Sequence, residues 1–204
     1  MSGNSQFPHK QMRQRIAHLA ARLMAADGVQ DFALAKRKAA RQLGAEDTQN
    51  LPNNSEIEQA LRDYHALYQA DEQPARLREL RLQALAAMDF FAAFDPHLTG
   101  AVLVGTATRY AEISLMLFAD DAKAVEMYLL NCNVAYRSSD KRYAFGDKLR
   151  NVPVLTLLDG PHAGVEAALF TSDDLRQAPR HTGSGRPLDK ARRAQIAALL
   201  EAQG

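Results

Sequence analysis

Leu98-Thr99-Gly100-Ala101-Val102-Leu103-Val104-Gly105-Thr106-Ala107-Thr108-Arg109-Tyr110-Ala111-Glu112-Ile113-Ser114-Leu115 is the stretch on which the fold turns. An apolar run over 101–104 ends in Gly105-Thr106. A short polar connection follows, and a second apolar run opens with Glu112-Ile113-Ser114. Strand side chains alternate between two faces. A strand over 112–118 therefore puts Glu112, Ser114, Met116 and Phe118 on one face and Ile113, Leu115 and Leu117 on the other. Oxygen ligands at i and i+2 then converge, the partial cage that Mg²⁺ accepts when phosphates and waters complete it. Glycine permits close backbone approach to a phosphate, and successive N–H groups can cradle an anion.

Further along, Arg142–Phe145, Val152–Leu158 and Val165–Phe170 read as strands, with Asp159-Gly160 as a hairpin turn. Asp121 opens a helix through Asn131. A last helix is expected from Leu188 to about Ala202. Glu166 is the one acid on its strand. Before the opening stretch, the pattern is helical. Ile16, Leu19, Ala20, Leu23 and Met24 form one stripe, closed by Asp27-Gly28. A second helix runs from Asp31 to Leu43. Ser55-Glu56-Ile57-Glu58 matches a capping box ahead of Ile57, Leu61, Tyr64 and Tyr68. Pro74 suits the first turn of a fourth helix with Leu77, Leu80, Ala84, Met88 and Phe91 inward. The fold class expected is α+β, with N-terminal helices packed on a small mixed-sheet core. Residues 1–10 read as a disordered tail, 11–95 as a helical region and 96–204 as the α+β core with a C-terminal helix.

The composition is globular: 204 residues, 47% hydrophobic and 24% charged, net charge +1. No run of about 18 apolar residues exists, so no membrane partner is expected. The polar start lacks a signal-peptide core, which points to the cytoplasm. One cysteine excludes an intrachain disulfide; Cys132 reads as packing filler at a helix end. The near-neutral balance conceals segregation. Residues 10–41 carry eight cations against two acids, 42–99 four against ten, and 176–193 six against one. Arg13, Arg15, Lys36, Arg37, Lys38 and Arg41 are candidates for nucleic-acid contact, directed at the backbone and sensitive to salt. Arg180, His181 and Arg186 lie in a glycine-flanked loop that is a second anion-binding candidate.

The Gly105-Thr106 turn, Glu112-Ile113-Ser114 and the later Glu166 resemble the signature of the nucleotidyltransferase superfamily that includes polymerase β. There a strand runs into Gly-Ser, and a following strand carries Asp-x-Asp or Asp-x-Glu. The resemblance implies nucleotide binding at Gly105, Thr106, Arg109 and Ser114. It implies Mg²⁺ as cofactor, held by Glu112 and Glu166, which would be the catalytic pair. Ser114 stands where a second carboxylate belongs, and the connection between Gly105 and Glu112 is short. These departures imply weak or lost transfer, since two-metal phosphoryl transfer needs enough negative charge to hold both ions.

Ala20-Ala21-Arg22-Leu23-Met24-Ala25-Ala26-Asp27-Gly28 and Ala35-Lys36-Arg37-Lys38-Ala39-Ala40-Arg41-Gln42-Leu43-Gly44 resemble a family of uncharacterised bacterial proteins from proteobacteria. The name muramate–alanine ligase attached to some members has no support here: no Gly-x-x-x-x-Gly-Lys-Ser/Thr loop is present. The expected partner is a nucleotide or RNA. The alternatives are an RNA- or ribosome-associated protein acting through its basic helices, and a subunit of a protein complex using its third helix as an interface.

Overall fold

The computed structural model describes residues 6–45, 50–70, 72–177, 179–180 and 187–202. It has the α+β class expected, with eight α-helices and a six-stranded mixed sheet among these residues. The chain divides into two compact units. The first holds Met1–Ala75 with Thr106–Ala111, and the second Arg76–Gly105 with Glu112–Gly204.

The first unit is built on α1 (Gln6–Asp27), α2 (Phe32–Gln42) and α3 (Asn54–Tyr68). Its core is the stripe that the sequence spacing predicts: Ile16, Ala20, Leu23 and Met24 meet Ala35 and Ala39 from α2 and Ile57 and Leu61 from α3. Alanine dominates α2, so its backbone lies close to α1. Asp31 caps α2 by accepting from the Leu34 amide. The capping box of α3 lies two residues earlier than expected. Asn53, not Ser55, is the cap, and it exchanges hydrogen bonds with Glu56. Tyr68, expected inward, is 72% exposed, because α3 runs past the core at its C-terminal end.

Gly28 ends α1 at φ +72, and a Cβ there would lie 3.2 Å from the Tyr110 ring. The 106–111 segment docks on this turn. The Gln30 amide donates to the Tyr110 carbonyl, and the Arg109 guanidinium donates to the Ala26 carbonyl.

The second unit takes up the chain within α4 (Glu72–Phe90), whose Leu77, Leu80, Ala84 and Met88 are buried as the pattern predicts. It continues through β1 (His97–Thr99), α5 (Gly100–Val104), β2 (Ile113–Phe118) and α6 (Ala122–Asn131). Then come β3 (Tyr136–Phe145), β4 (Lys148–Leu157), β5 (Val165–Phe170), α7 (Asp174–Gln177), β6 (Lys190–Ala191) and α8 (Arg193–Glu201). The sheet order is β3-β4-β5-β2-β1-β6. Only β2 and β5 pair in parallel; the other four pairings are antiparallel.

Three expectations are corrected here. Residues 101–104 are helical, not a strand. Gly100 at φ +73 turns the chain out of β1, and Gly105 at φ +79 stops the helix one turn later. The last helix starts at Arg193, because residues 190–191 are drawn into the sheet beside β1. Cys132 is exposed rather than packed, since it follows the last turn of α6.

Both sheet faces are covered in part. Ile113, Leu115 and Leu117 on β2 alternate with Met116 and Phe118, and all five are buried. Met116 and Phe118 join Val152, Val154, Ala168 and Phe170 in a small second core, with Tyr143 and Phe145 at its margin. No helix among the described residues is long and apolar enough to cross a membrane.

Candidate functional site

Strand register brings Thr99, Ser114, Glu166, Thr156 and Arg137 into one row across five strands. All five side chains share a face, because directly opposed residues point the same way. The next row on that face, Met116, Ala168 and Val154, is apolar and buried. A polar rim therefore borders a dry floor. A small cleft of about 30 Å³ opens between them, lined by Thr99, Ser114, Lys141, Tyr143 and Glu166 among others. It is about the size needed for one water.

Glu112 lies two residues before Ser114, just outside β2. Partial burial raises its carboxyl above the usual range, and the charge of Glu166 raises it further. Lys141 and Arg137 oppose that rise by favouring the ionised form. Glu112 therefore lies within the electrostatic reach of Glu166. Lys141 is the cation that Glu166 holds. Its ammonium donates to Glu166 Oε2 at 2.5 Å. Tyr143 is pushed up to about 12 by burial and by Glu166. It is therefore a neutral hydroxyl at the cleft.

The glycine beside Ser114 is Gly100. A Cβ built on it would lie 3.7 Å from Ser114 Oγ, in ordinary contact. Thr99 donates its hydroxyl to the Asp189 carbonyl, which holds the end of β1 in place.

Gly105 has a different task from the one expected. It caps α5 and sits near the buried Arg81, which donates to the Val102 and Leu103 carbonyls. Thr106 is buried in the first unit. Arg109 belongs to the same unit, donates to Ala26 and lies over the Tyr110 ring. The structure thus joins Ser114 and Glu166 on one sheet face and leaves Glu112 just outside β2, while Thr106 and Arg109 are committed to the helical unit. Sequence reasoning missed Thr99, Gly100, Lys141 and Tyr143. The signal lay in Arg137, Ser139, Lys141 and Tyr143, which keep period-two spacing along β3.

Glu112 and Glu166 are the two carboxylates available to a Mg²⁺ ion. Among the described residues, no group of three or more His, Cys, Asp or Glu side chains gathers as metal ligands. With Ser114 neutral and Lys141 already on Glu166, the donor set fits one loosely held ion better than a two-metal centre.

His97 is a buried residue of β1. Its Nδ1 pairs with the Asp95 carbonyl, and Arg192 Nε donates to its Nε2. Burial lowers its pKa. The bonding accounts for both ring nitrogens in the neutral form and leaves neither for a ligand.

The basic residues of the first unit separate into two groups. Arg13 makes a bidentate pair with Glu56, and Lys36 is partly buried with its ammonium on Asn54 Oδ1. Arg15 is exposed on α1. Arg37, Lys38 and Arg41 line an open cavity of about 520 Å³ with Leu34, Ala40 and Leu51. In the second anion-binding candidate, Arg180 pairs through its backbone with Ala144 and Pro187. His181 and Arg186 lie outside the described residues. Comparison with known proteins finds no matching family model, no matching curated protein and no matching solved structure.

Proposed function

We propose that the second unit is a divergent nucleotidyltransferase-like domain that binds a nucleotide phosphate, with transfer weak or lost. One observation carries the reading. A strand, β1, turns through Thr99-Gly100-Ala101 beside Ser114, Ser114 and Glu166 share the adjoining sheet face, and Glu112 lies two residues before Ser114. This is the order of parts in the resemblance above, with the turn moved from Gly105-Thr106 to Gly100-Ala101. Gly100 supports close approach of a phosphate, having no Cβ at the turn. Glu112 and Glu166 would hold the Mg²⁺ that accompanies the nucleotide, and the ion would screen the phosphate charge there. Ser114 supplies a hydroxyl where a carboxylate would hold a second ion, which is the reason for weak transfer. Lys141 is placed to neutralise Glu166 when no metal is bound.

The test is thermal unfolding of the chain with each nucleoside triphosphate, with and without Mg²⁺, beside Glu112→Ala. A ligand that binds only the folded state stabilises it by RT ln(1 + [L]/Kd). The expected result is a Mg²⁺-dependent rise that Glu112→Ala abolishes. No rise with any triphosphate would overturn the reading.

A further inference from the structure

The C-terminal end of the second unit is tied to β1 through one imidazole. His97 opens β1 and is 3% exposed. Its two ring nitrogens meet partners from distant parts of the chain. Nδ1 lies 2.9 Å from the Asp95 carbonyl, which can only accept. Nε2 lies 3.2 Å from Arg192 Nε, which can only donate. The two partners together fix the tautomer: the proton sits on Nδ1, and the Nε2 lone pair faces Arg192. Only the neutral ring satisfies both. A proton on Nε2 would set two cationic N–H donors against each other.

Arg192 follows β6 and is the N-cap of α8. β6 itself is slight. Ala191 pairs with Leu98 and Lys190 with Thr99, and the Asp189 carbonyl accepts from the Thr99 hydroxyl at 2.7 Å. Two paired residues at a sheet edge belong to the low end of a protein's local stabilities. The His97–Arg192 bond adds a side-chain tie at the end of this strap. Beyond it, Ile196 and Leu200 bury the inner face of α8, and Arg193 pairs with Asp89. Loss of the tie therefore bears on residues 189–192 and leaves α8 docked.

The charges around the ring decide which partner moves. Lys190 of β6 and Arg192 face it as cations, and Asp95 of the preceding turn is the acid that answers them. From β2, the Phe118 ring stands edge-on at 5.2 Å and brings no charge. A protonated His97 would be a third cation beside one carboxylate. Lys190 is held in place, since its ammonium donates to the Leu175 carbonyl and lies over the Phe118 ring. Arg192 is exposed and has water to turn into. Burial and the two cations also lower the pH at which the ring takes its proton, against the pull of Asp95.

We propose that His97 is a proton-operated pin: neutral, it holds Arg192 and with it β6 on β1; protonated, it expels Arg192 and loosens this strap while the rest of the sheet stays paired. Because Asp189 holds the Thr99 hydroxyl, loosening also frees the end of β1 where the chain turns at Gly100. The pin needs no ligand and stands apart from the nucleotide reading.

The experiment is hydrogen exchange of the full chain at pH 7.5 and 5.5, read by mass spectrometry on peptic peptides and corrected for the intrinsic rate at each pH. At both values, residues 189–192 should exchange faster than 113–118 and 165–170, which marks an opening smaller than unfolding. Protection of the strap should fall at the lower pH by about 2–10-fold, the range that one net hydrogen bond supplies. His97→Gln keeps an acceptor toward Arg192 and takes no proton, so its strap should exchange alike at both values. Arg192→Met removes the tie without touching the buried ring. Its strap should exchange faster than the wild type at pH 7.5 and change less with pH, which carries the test should His97→Gln fold poorly. His162→Gln should keep the wild-type fall. Strap protection equal to that of 113–118 and 165–170 would show that the strap opens only with the whole unit, and would overturn the proposal. So would a fall that persists in His97→Gln, or an Arg192→Met strap that exchanges like the wild type.

Discussion

The Lys141 ammonium of β3 reaches over strand β4 to Glu166 of β5 and closes on its Oε2 at 2.5 Å. The carboxylate expected to ligate a metal therefore already holds a cation. A divalent ion arriving at Glu166 must displace it. Half-exposed pairs of this kind contribute about 0.2–1 kcal/mol. Lys141→Met should accordingly tighten Mg²⁺ binding by roughly 1.5–5-fold, read by calorimetric titration. No change would mean that Glu166 is not a ligand.

Gly100 and Gly105 provide a matched pair of tests. Both have φ near +75, so alanine at either should cost about 1–2 kcal/mol through backbone strain alone. A Cβ at either site meets only ordinary contacts. The two variants should therefore lose similar stability in urea. Only Gly100→Ala should also lose the triphosphate-dependent thermal shift, because only Gly100 adjoins Ser114. Equal loss in both would disfavour Gly100 as the phosphate-facing glycine.

Much of this was legible in the chain. The α+β class, the α1 and α4 stripes and strands β2 and β5 follow from apolar periods that continue over enough residues to be unambiguous. Residues 101–104 misled because four apolar residues fit a buried strand and a short helix equally. Only the positive φ of the flanking glycines decides between them. β6 was illegible for another reason: two residues hold no period, and they are strand only because β1 offers them an edge. At the site, the strands that carry Ser114 and Glu166 were readable from their apolar periods. Lys141 was not, because its partner lies two strands away and only register brings them together.

Arg81 offers a test of the turn from the opposite side. It is buried, with no ion pair among the described residues, and donates to two carbonyls at the end of α5. Arg81→Met should cost about 1–3 kcal/mol, since two buried carbonyls lose their donor. Arg81→Lys should recover little, because one ammonium lacks the fork that serves both. Equilibrium unfolding in urea, with an unchanged slope, reads the loss.

His97 implies a pH dependence of stability. Burial lowers its pKa below the ordinary 6.5, while the Asp95 carbonyl raises it and Lys190 and Arg192 lower it. The folded state then binds fewer protons than the unfolded one through this window, so stability increases with pH. The contribution is present above about 6.5 and is lost as pH falls below it. Melting temperature should drop between pH 7.5 and pH 5, and His97→Gln should flatten the drop. His162 is lowered by burial too and leaves a residual slope in that variant.

The bond from Thr99 to Asp189 spans 90 residues. β1 is consequently unfinished while the ribosome is still making the rest of the sheet. At roughly 5–20 residues per second, the turn at Gly100 waits on the order of 5–20 s for its last neighbour to emerge. Ile113–Phe118 and its parallel partner Val165–Phe170 are both synthesised within that interval, and the β3–β4 hairpin pairs locally. β6, two residues that pair with β1 at the sheet's edge, is thus the last piece of the sheet to arrive.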